Sequence, residues 1–405
     1  MKKPVFLLGA YDRFNYGDLL FPIIVERVLK DFDSRVECTP YALIESDLSR
    51  FGAKPTRPMR ELFESGRTTS ESVVLVAGGG VLGASWASMR RNVSQSWLEG
   101  LLLAQLILRS GEARFNARYQ KKFGSNSAWP WVVSPDDFDV PQKVVYNGVG
   151  GSYLGRLPAK EREGITAKLA ESTFLSVRDA ETKRLLGSID ENDRIQLVPD
   201  SAVVMSRLFP KEKLREMLSP HVLAWVNRAR PYLCFQMAIA HETERFPEIA
   251  DAIDQIARKH HLDVVLLPIG RAQGHEDHTA LRRLNKHLSG AAFQPADDIG
   301  IFDIMALIAE SALFVGTSLH GAVTAQAFAV PHLGMAGIGK LAFYLDTWEV
   351  PSQRAPVEIE DMVQRTAEVL ALPADELEQN RDRLIARAME NFLAIAQALG
   401  LKMES

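Results

Sequence analysis

Cysteine is nearly missing from this sequence: two occur in 405 residues, Cys38 and Cys234. Their distance in the chain argues against a disulfide framework and fits two buried thiols in a reducing cytosol. A basic excess is missing too. Lys and Arg number 47 against 51 Asp and Glu, a net charge of -4, which speaks against nucleic acid as a partner, although a few local cations still suffice for a small phosphate. No apolar run is long enough to span a bilayer. The most apolar helix candidate, residues 97–108, contains Glu99 and Gln105 and falls short of a membrane segment. Residues 5–10 are too few for a signal sequence and read as a first strand. These features place the chain in the cytoplasm and leave peripheral contact with the inner face of a membrane open. Gly-x-Ser-x-Gly, a Walker lysine loop and paired Cys-x-x-Cys are also absent, which removes support for serine hydrolase, P-loop and zinc-ribbon chemistry.

What is present is a rhythm. Short apolar runs at 5–8, 73–77, 144–146, 174–177 and 195–198 alternate with amphipathic stretches such as 18–32 and 180–186. The rhythm stops in a polar, proline-flanked stretch at 210–231 and restarts with strands expected at 232–237, 263–268, 312–316 and 332–335. Alternating βα units imply a parallel sheet, and two such runs imply an α/β chain of two Rossmann-like domains facing a cleft. The domains are residues 1–210 and 228–405, the second ending in closing helices at 358–371 and 375–399. The last helix is a candidate to pack back onto the first domain. Residues 111–141 break the rhythm with Arg114, Arg118, Lys121, Lys122, Trp129 and Trp131. A segment of that length reads as a surface insertion, or as a flap carrying the tryptophans as platforms for a sugar or a membrane.

Open parallel sheets bind ligands beyond the carboxyl ends of their strands, so the residues there are the candidates. Asn15-Tyr16-Gly17-Asp18 follows the first strand at a helix start, where free N–H groups suit an anion. Asp18 is either a cap or a ligand contact. Gly78-Gly79-Gly80-Val81-Leu82-Gly83 fits the spacing of a dinucleotide loop, but it follows a later strand and has no acid at a strand end some twenty residues on. Close backbone approach to a substrate explains these glycines as well. Arg178 offers a fork of donors for carboxylate or phosphate. Asp179 either caps the next helix or holds Arg178, and Asp200 sits at another strand-end turn. The strongest signal is Gly316-Thr317-Ser318-Leu319-His320-Gly321, where a buried strand gives way to a histidine opening an apolar helix. Lys340 adds charge at the same rim. His275, Glu276, Asp277 and His278 cluster, but without a distant third ligand they read as a helix start rather than a metal site.

Taken in order, Asn15-Tyr16-Gly17-Asp18, Gly78-Gly79-Gly80, Val177-Arg178-Asp179, Val198-Pro199-Asp200, Ser318-Leu319-His320-Gly321, Pro331 and Lys340 resemble the polysaccharide pyruvyl transferases. The resemblance spans residues 5–345 and implies a glycosyltransferase-B-like fold. It further implies transfer of the enolpyruvyl carbons of phosphoenolpyruvate onto two hydroxyls of one sugar, giving a cyclic ketal and phosphate. The family's functional arginine and histidine fall on Arg178 and His320. Phosphoenolpyruvate is then the co-substrate, no metal or other cofactor is required, and the acceptor is a sugar of a polysaccharide or its precursor, whether lipid-linked, nucleotide-linked or polymeric. On this reading His320, Asp18 and Asp200 are catalytic, while Arg178, Asn15, Gly17, Gly79, Gly80, Ser318, Gly321 and Lys340 bind substrate. A homodimer stays open. Two other readings are a nucleotide-sugar glycosyltransferase of like fold and a non-catalytic binding protein built on it.

Overall fold

The computed structural model describes residues 2–94, 96–239, 243–272, 276–296 and 298–402. In the first half the apolar runs form β1 (Lys3–Leu8), β2 (Val36–Ala42), β3 (Arg57–Pro58), β4 (Val73–Ala77), β5 (Lys143–Val149), β6 (Phe174–Val177) and β7 (Ile195–Leu197). All pair in parallel, in the order β3-β2-β1-β4-β5-β6-β7. The run VVLVA of β4 is buried throughout, as expected for a strand covered on both faces. The helices of this half are α1 (Tyr16–Phe32), α2 (Trp86–Asn92), α3 (Trp97–Ser110), α4 (Glu112–Lys122), α5 (Ala159–Ala170) and α6 (Ala180–Leu185).

Three short helices cross to the second half, α7 (Met205–Leu208), α8 (Lys211–Arg215) and α9 (Pro220–Val226). There β8 (Tyr232–Gln236), β9 (Asp263–Leu266), β10 (Ala292–Phe293), β11 (Leu313–Gly316) and β12 (His332–Gly334) form a second parallel sheet, ordered β10-β9-β8-β11-β12. Its helices are α10 (Phe246–His260), α11 (Asp277–Leu284), α12 (Ile301–Ala309), α13 (Leu319–Ala327) and α14 (Gly339–Trp348). The chain closes with α15 (Pro351–Arg354), α16 (Met362–Leu370) and α17 (Ala374–Leu399). The architecture is thus the pair of Rossmann-like halves that the βα rhythm implies.

The halves are tied together. One apolar cluster includes Leu20 and Ile24 of α1, Met305 of α12, Val323 of α13 and Ile395 of α17. The last helix does return to the first sheet: Asn391 Nδ2 donates to Asn147 Oδ1 at 2.8 Å, and Lys143 Nζ donates to the carbonyl of Ala398 at 2.9 Å. Anchoring α17 on β5 holds the relative placement of the halves, and with it the cleft.

Residues 111–141 differ from the expected irregular insertion. Residues 112–122 are the helix α4, because Phe115, Tyr119 and Phe123 recur at helical spacing and stack on one another and on Trp86. Trp131 is no exposed platform either; it is wholly buried in the first half's core. Trp129 is half-buried and lines a cavity.

Candidate active site

Each sheet has one place where its strand order reverses, β1/β4 in the first and β8/β11 in the second. The loops after those strands diverge and leave a crevice. The loops after β1, β4 and β11, with the first turns of α1 and α13, carry Asn15, Gly17, Asp18, Gly79, Gly80, Ser318, His320 and Gly321, while Arg178, Asp200 and Lys340 follow β6, β7 and β12.

His320 is the pivot. Ser318 caps α13, its Oγ accepting from the amide of Gly321 at 3.1 Å, which sets the imidazole in the first turn. The ring is buried, edge-on to Phe21 of α1 at 5.4 Å between centroids. Across the interface it meets Gly17, where a Cβ would stand 1.9 Å from Nδ1, so no side chain fits at position 17. The hydroxyls of Tyr16 and Thr324 bond at 2.9 Å just beside this contact. Nε2 of His320 lies 3.5 Å from Asp200 Oδ2, near enough for charge attraction but outside hydrogen-bond geometry, and it makes no hydrogen bond among the described residues.

Asp200 joins three groups. Its Oδ1 accepts from the amide of Ala202 at 3.0 Å, and Oδ2 accepts from Arg178 Nη1 at 2.9 Å. Burial alone would raise its pKa, but His320 and Arg178 outweigh that and hold it at about 2. The partner of Arg178 is therefore Asp200 and not its neighbour Asp179, which caps α6 by accepting from Thr182 N at 2.7 Å. Arg178 Nε is buried and makes no hydrogen bond among the described residues. The guanidinium lies against Gly150, where a Cβ would be 2.7 Å from Nε.

On the first half, Asp18 is the third residue of α1 and not its cap. It accepts from Asn15 Nδ2 at 2.8 Å, and its Oδ1 lies 3.0 Å from where a Cβ on Gly79 would be. Gly78 and Gly79 both have positive φ (77° and 69°), a backbone that side chains disfavour. The sequence reading missed Arg13, which sits in the same loop as Asn15. Its Nη1 lies 3.3 Å from Asp12 Oδ1 and its Nη2 3.9 Å from Asp18 Oδ2, while its buried Nε makes no hydrogen bond among the described residues. The rule that selected Asn15, position beyond a strand end, applies equally to Arg13.

Lys340 opens α14, partly buried and in no ion pair among the described residues. Burial and the nearby Arg178 push its ammonium below the usual lysine range, and Asp18, Asp277 and Arg13 also act on it. Asp277 accepts from Gln236 Nε2 at 2.7 Å and from the amides of Ile269 and Gly270 at 3.0 and 2.9 Å. Burial raises its pKa to about 7 against these bonds. Asp277 belongs to the first turn of α11, as expected of a helix start, while His275 lies outside the described residues. Gly321 and Gly80 stand apart from the cation cluster. Gly321 lets α13 close on Phe314, a Cβ there falling 2.3 Å from its ring. Gly80 borders a cavity of about 680 Å³ that Met89, Asn116, Trp129, Tyr153 and Arg156 help to line. Arg13 Nη2 contacts Met89 Sδ at 3.7 Å, so cleft and cavity adjoin.

Arg13, Arg178, Lys340 and His320 thus bring cationic or proton-bearing nitrogen to one crevice, three of them with a buried nitrogen atom left unbonded among the described residues. Unmet buried donors of this kind mark a ligand site, and their charge fits an anion with more than one acidic group.

Two Rossmann-like halves with a polar crevice at the paired switch points define a glycosyltransferase-B-like enzyme fold. Solved structures share it. The UDP-GlcNAc 2-epimerase of Methanocaldococcus jannaschii, in complex with UDP-GlcNAc and UDP, superposes with a TM-score of 0.54 at 13% identity, over 98% of this chain and 99% of that one. The Neisseria meningitidis UDP-GlcNAc 2-epimerase gives 0.52 at 12% identity over 98% and 99%, and S. aureus MnaA with UDP gives 0.53 at 12% over 99% and 98%. At such identities the likeness is one of fold. No curated protein matches the sequence significantly. The family model for polysaccharide pyruvyl transferase matches residues 15–337, and the chain belongs to that family.

Proposed function

We propose that this protein transfers the enolpyruvyl group of phosphoenolpyruvate to two hydroxyls of a saccharide, releasing phosphate and leaving a cyclic pyruvate ketal. The observation that carries the reading is the crevice where Arg13, Arg178 and His320 each keep a buried nitrogen without a hydrogen bond among the described residues, with Lys340 beside them. Phosphoenolpyruvate presents a phosphate and a carboxylate, and those cations suit both.

His320 delivers a proton to C3, which makes C2 electrophilic. A sugar hydroxyl adds to C2, the C2–O bond to phosphate breaks, and the second hydroxyl closes the ketal at C2. The proton of the attacking hydroxyl replaces, by way of Asp18 and solvent, the one His320 gives to C3, and the proton of the second hydroxyl leaves on the phosphate. Asp200, held at about 2 by His320 and Arg178, is too weak a base to take a hydroxyl proton at neutral pH. Its role is to orient Arg178, which it holds through Nη1 at 2.9 Å. Asp18, beside Gly79 and facing Arg13, is the proton acceptor for the attacking hydroxyl. The acceptor saccharide occupies the cavity of about 680 Å³, with Trp129 and Tyr153 as its apolar walls.

The test is phosphate release from phosphoenolpyruvate in the presence of saccharide fractions, with pyruvate recovered on the glycan in acid-labile form. His320→Ala should stop both while keeping the fold. Retained turnover in that variant, or release of phosphate with no pyruvate on the glycan, would contradict the reading.

A further inference from the structure

Eight large apolar side chains are exposed among the described residues, and five lie on α3: Leu98, Leu101, Leu102, Leu106 and Leu108. The opposite side of α3 is apolar too, with Leu103 and Ile107 packed against Ala87 and Phe115. An apolar helix face of this size is normally covered. Here one side is covered by α2 and α4, and the other is bare.

Charge identifies what covers it. Residues 90–122 carry seven Lys or Arg against two Glu, a net of +5 in a chain whose net is -4. After the single residue Gly111, α4 begins, with Arg114, Arg118, Lys121 and Lys122 all exposed. Arg114, Arg118 and Lys121 recur at helical spacing and share one face of α4, while Lys122 borders the buried row, its ammonium 5.4 Å from the Tyr119 ring centre. A second copy docked here through a two-fold axis would set the same cations against each other. An anionic surface would not.

We propose that α3 and α4 form a membrane-docking surface, with the α3 leucines in the boundary between headgroups and acyl chains of an anionic phospholipid bilayer and the α4 cations against its headgroups. A fourteen-residue helix is about 21 Å long, too short to span, and no helix of the described residues is long and apolar enough to cross a membrane. α3 therefore lies in the plane of the interface. Arg109, which shares the exposed side with Gln105, reaches its headgroups from the leucine face by extending its stem. Glu112 and Asn116 of α4 line the cavity assigned above to the acceptor, so docking would hold that cavity beside the membrane, where a lipid-linked saccharide would present itself. That last consequence rests on the transferase reading; the docking itself does not.

The test is flotation of the full-length protein with phosphatidylcholine vesicles, with and without phosphatidylglycerol. The wild type should float with the anionic vesicles and bind neutral ones at least about 10-fold more weakly. Leu98→Ser/Leu102→Ser/Leu108→Ser should abolish flotation, and Arg114→Gln/Arg118→Gln/Lys121→Gln/Lys122→Gln should reduce it to the neutral-vesicle level. Both variants should melt like the wild type and keep the thermal shift given by phosphoenolpyruvate, if the wild type shows one. A wild type that does not float, or a leucine variant that floats equally, would overturn the proposal. So would a lipid-free wild-type dimer that the leucine substitutions convert to monomer, because the face would then be a contact between copies.

Discussion

Gly17 and His320 share one small volume from opposite halves of the molecule: a Cβ at position 17 would stand 1.9 Å from Nδ1 and 2.0 Å from Cγ of the imidazole. The ring's place in the cleft is therefore set as much by what position 17 lacks as by the α13 that carries it.

Gly17→Ala should displace His320 and lower turnover by roughly 10-fold or more, since small misplacements of a reacting group are costly. Overpacking of this kind also removes ~1–3 kcal/mol of stability. Phosphate-release kinetics and a thermal melt on the same preparation check both. Wild-type turnover with an unshifted melt would mean that the imidazole has room to move and that its position is not set here.

Asp200→Asn should leave the Arg178 charge buried without its carboxylate. Removing one partner of a buried pair costs about 3–5 kcal/mol, measurable by urea unfolding. Because the account places an anion at the same guanidinium, phosphoenolpyruvate should recover part of that loss. A deficit that is the same with and without it would separate Arg178 from donor binding.

Arg178→Lys and Arg13→Gln should each weaken phosphoenolpyruvate binding by about 10- to 100-fold, the range for one charge-assisted hydrogen bond or more. Isothermal titration gives the constants. An unchanged constant for either variant would make that arginine structural.

Asp277 sets a pH dependence of stability. Its pKa is raised from 3.8 to about 7 in the fold, so the native state holds a proton that the unfolded chain has lost. The associated stability is fully present below the unfolded value and is lost as pH rises through the folded one. Asp277→Asn, which mimics the protonated acid, should match the wild type near pH 4 and exceed it at pH 8 by on the order of 4 kcal/mol. Denaturant unfolding across that window checks the sign. A difference between the two proteins that stays the same from pH 4 to pH 8 would show the carboxyl to be ionised in the fold throughout.

Much of this was legible in the sequence because strand ends are. The positions of Asp18, Arg178, Asp200 and His320 follow from counting apolar runs, and the parallel order of both sheets is the ordinary outcome of alternating βα units. Partnership was not legible. Asp179 adjoins Arg178 in the chain, yet Asp200, brought beside it by the pairing of β6 and β7, holds the guanidinium. Arg13 lies past the same strand end as Asn15, but only the fold shows its guanidinium beside Asp12 and Asp18. In residues 111–141 the dense charge masked the helical spacing of Phe115, Tyr119 and Phe123, and nothing local distinguishes the buried Trp131 from the half-buried Trp129. Tertiary contact decides such cases.

The most direct measurement of the central claim is a thermal melt of the purified protein with saturating phosphoenolpyruvate, beside inorganic phosphate and UDP-GlcNAc. A ligand that binds only the native state raises the melting temperature. A clear rise is expected with phosphoenolpyruvate, a smaller one with phosphate and none with UDP-GlcNAc, and the phosphoenolpyruvate rise should shrink in Arg178→Lys. No response to phosphoenolpyruvate together with a rise from UDP-GlcNAc would contradict it and assign the cleft to a nucleotide sugar.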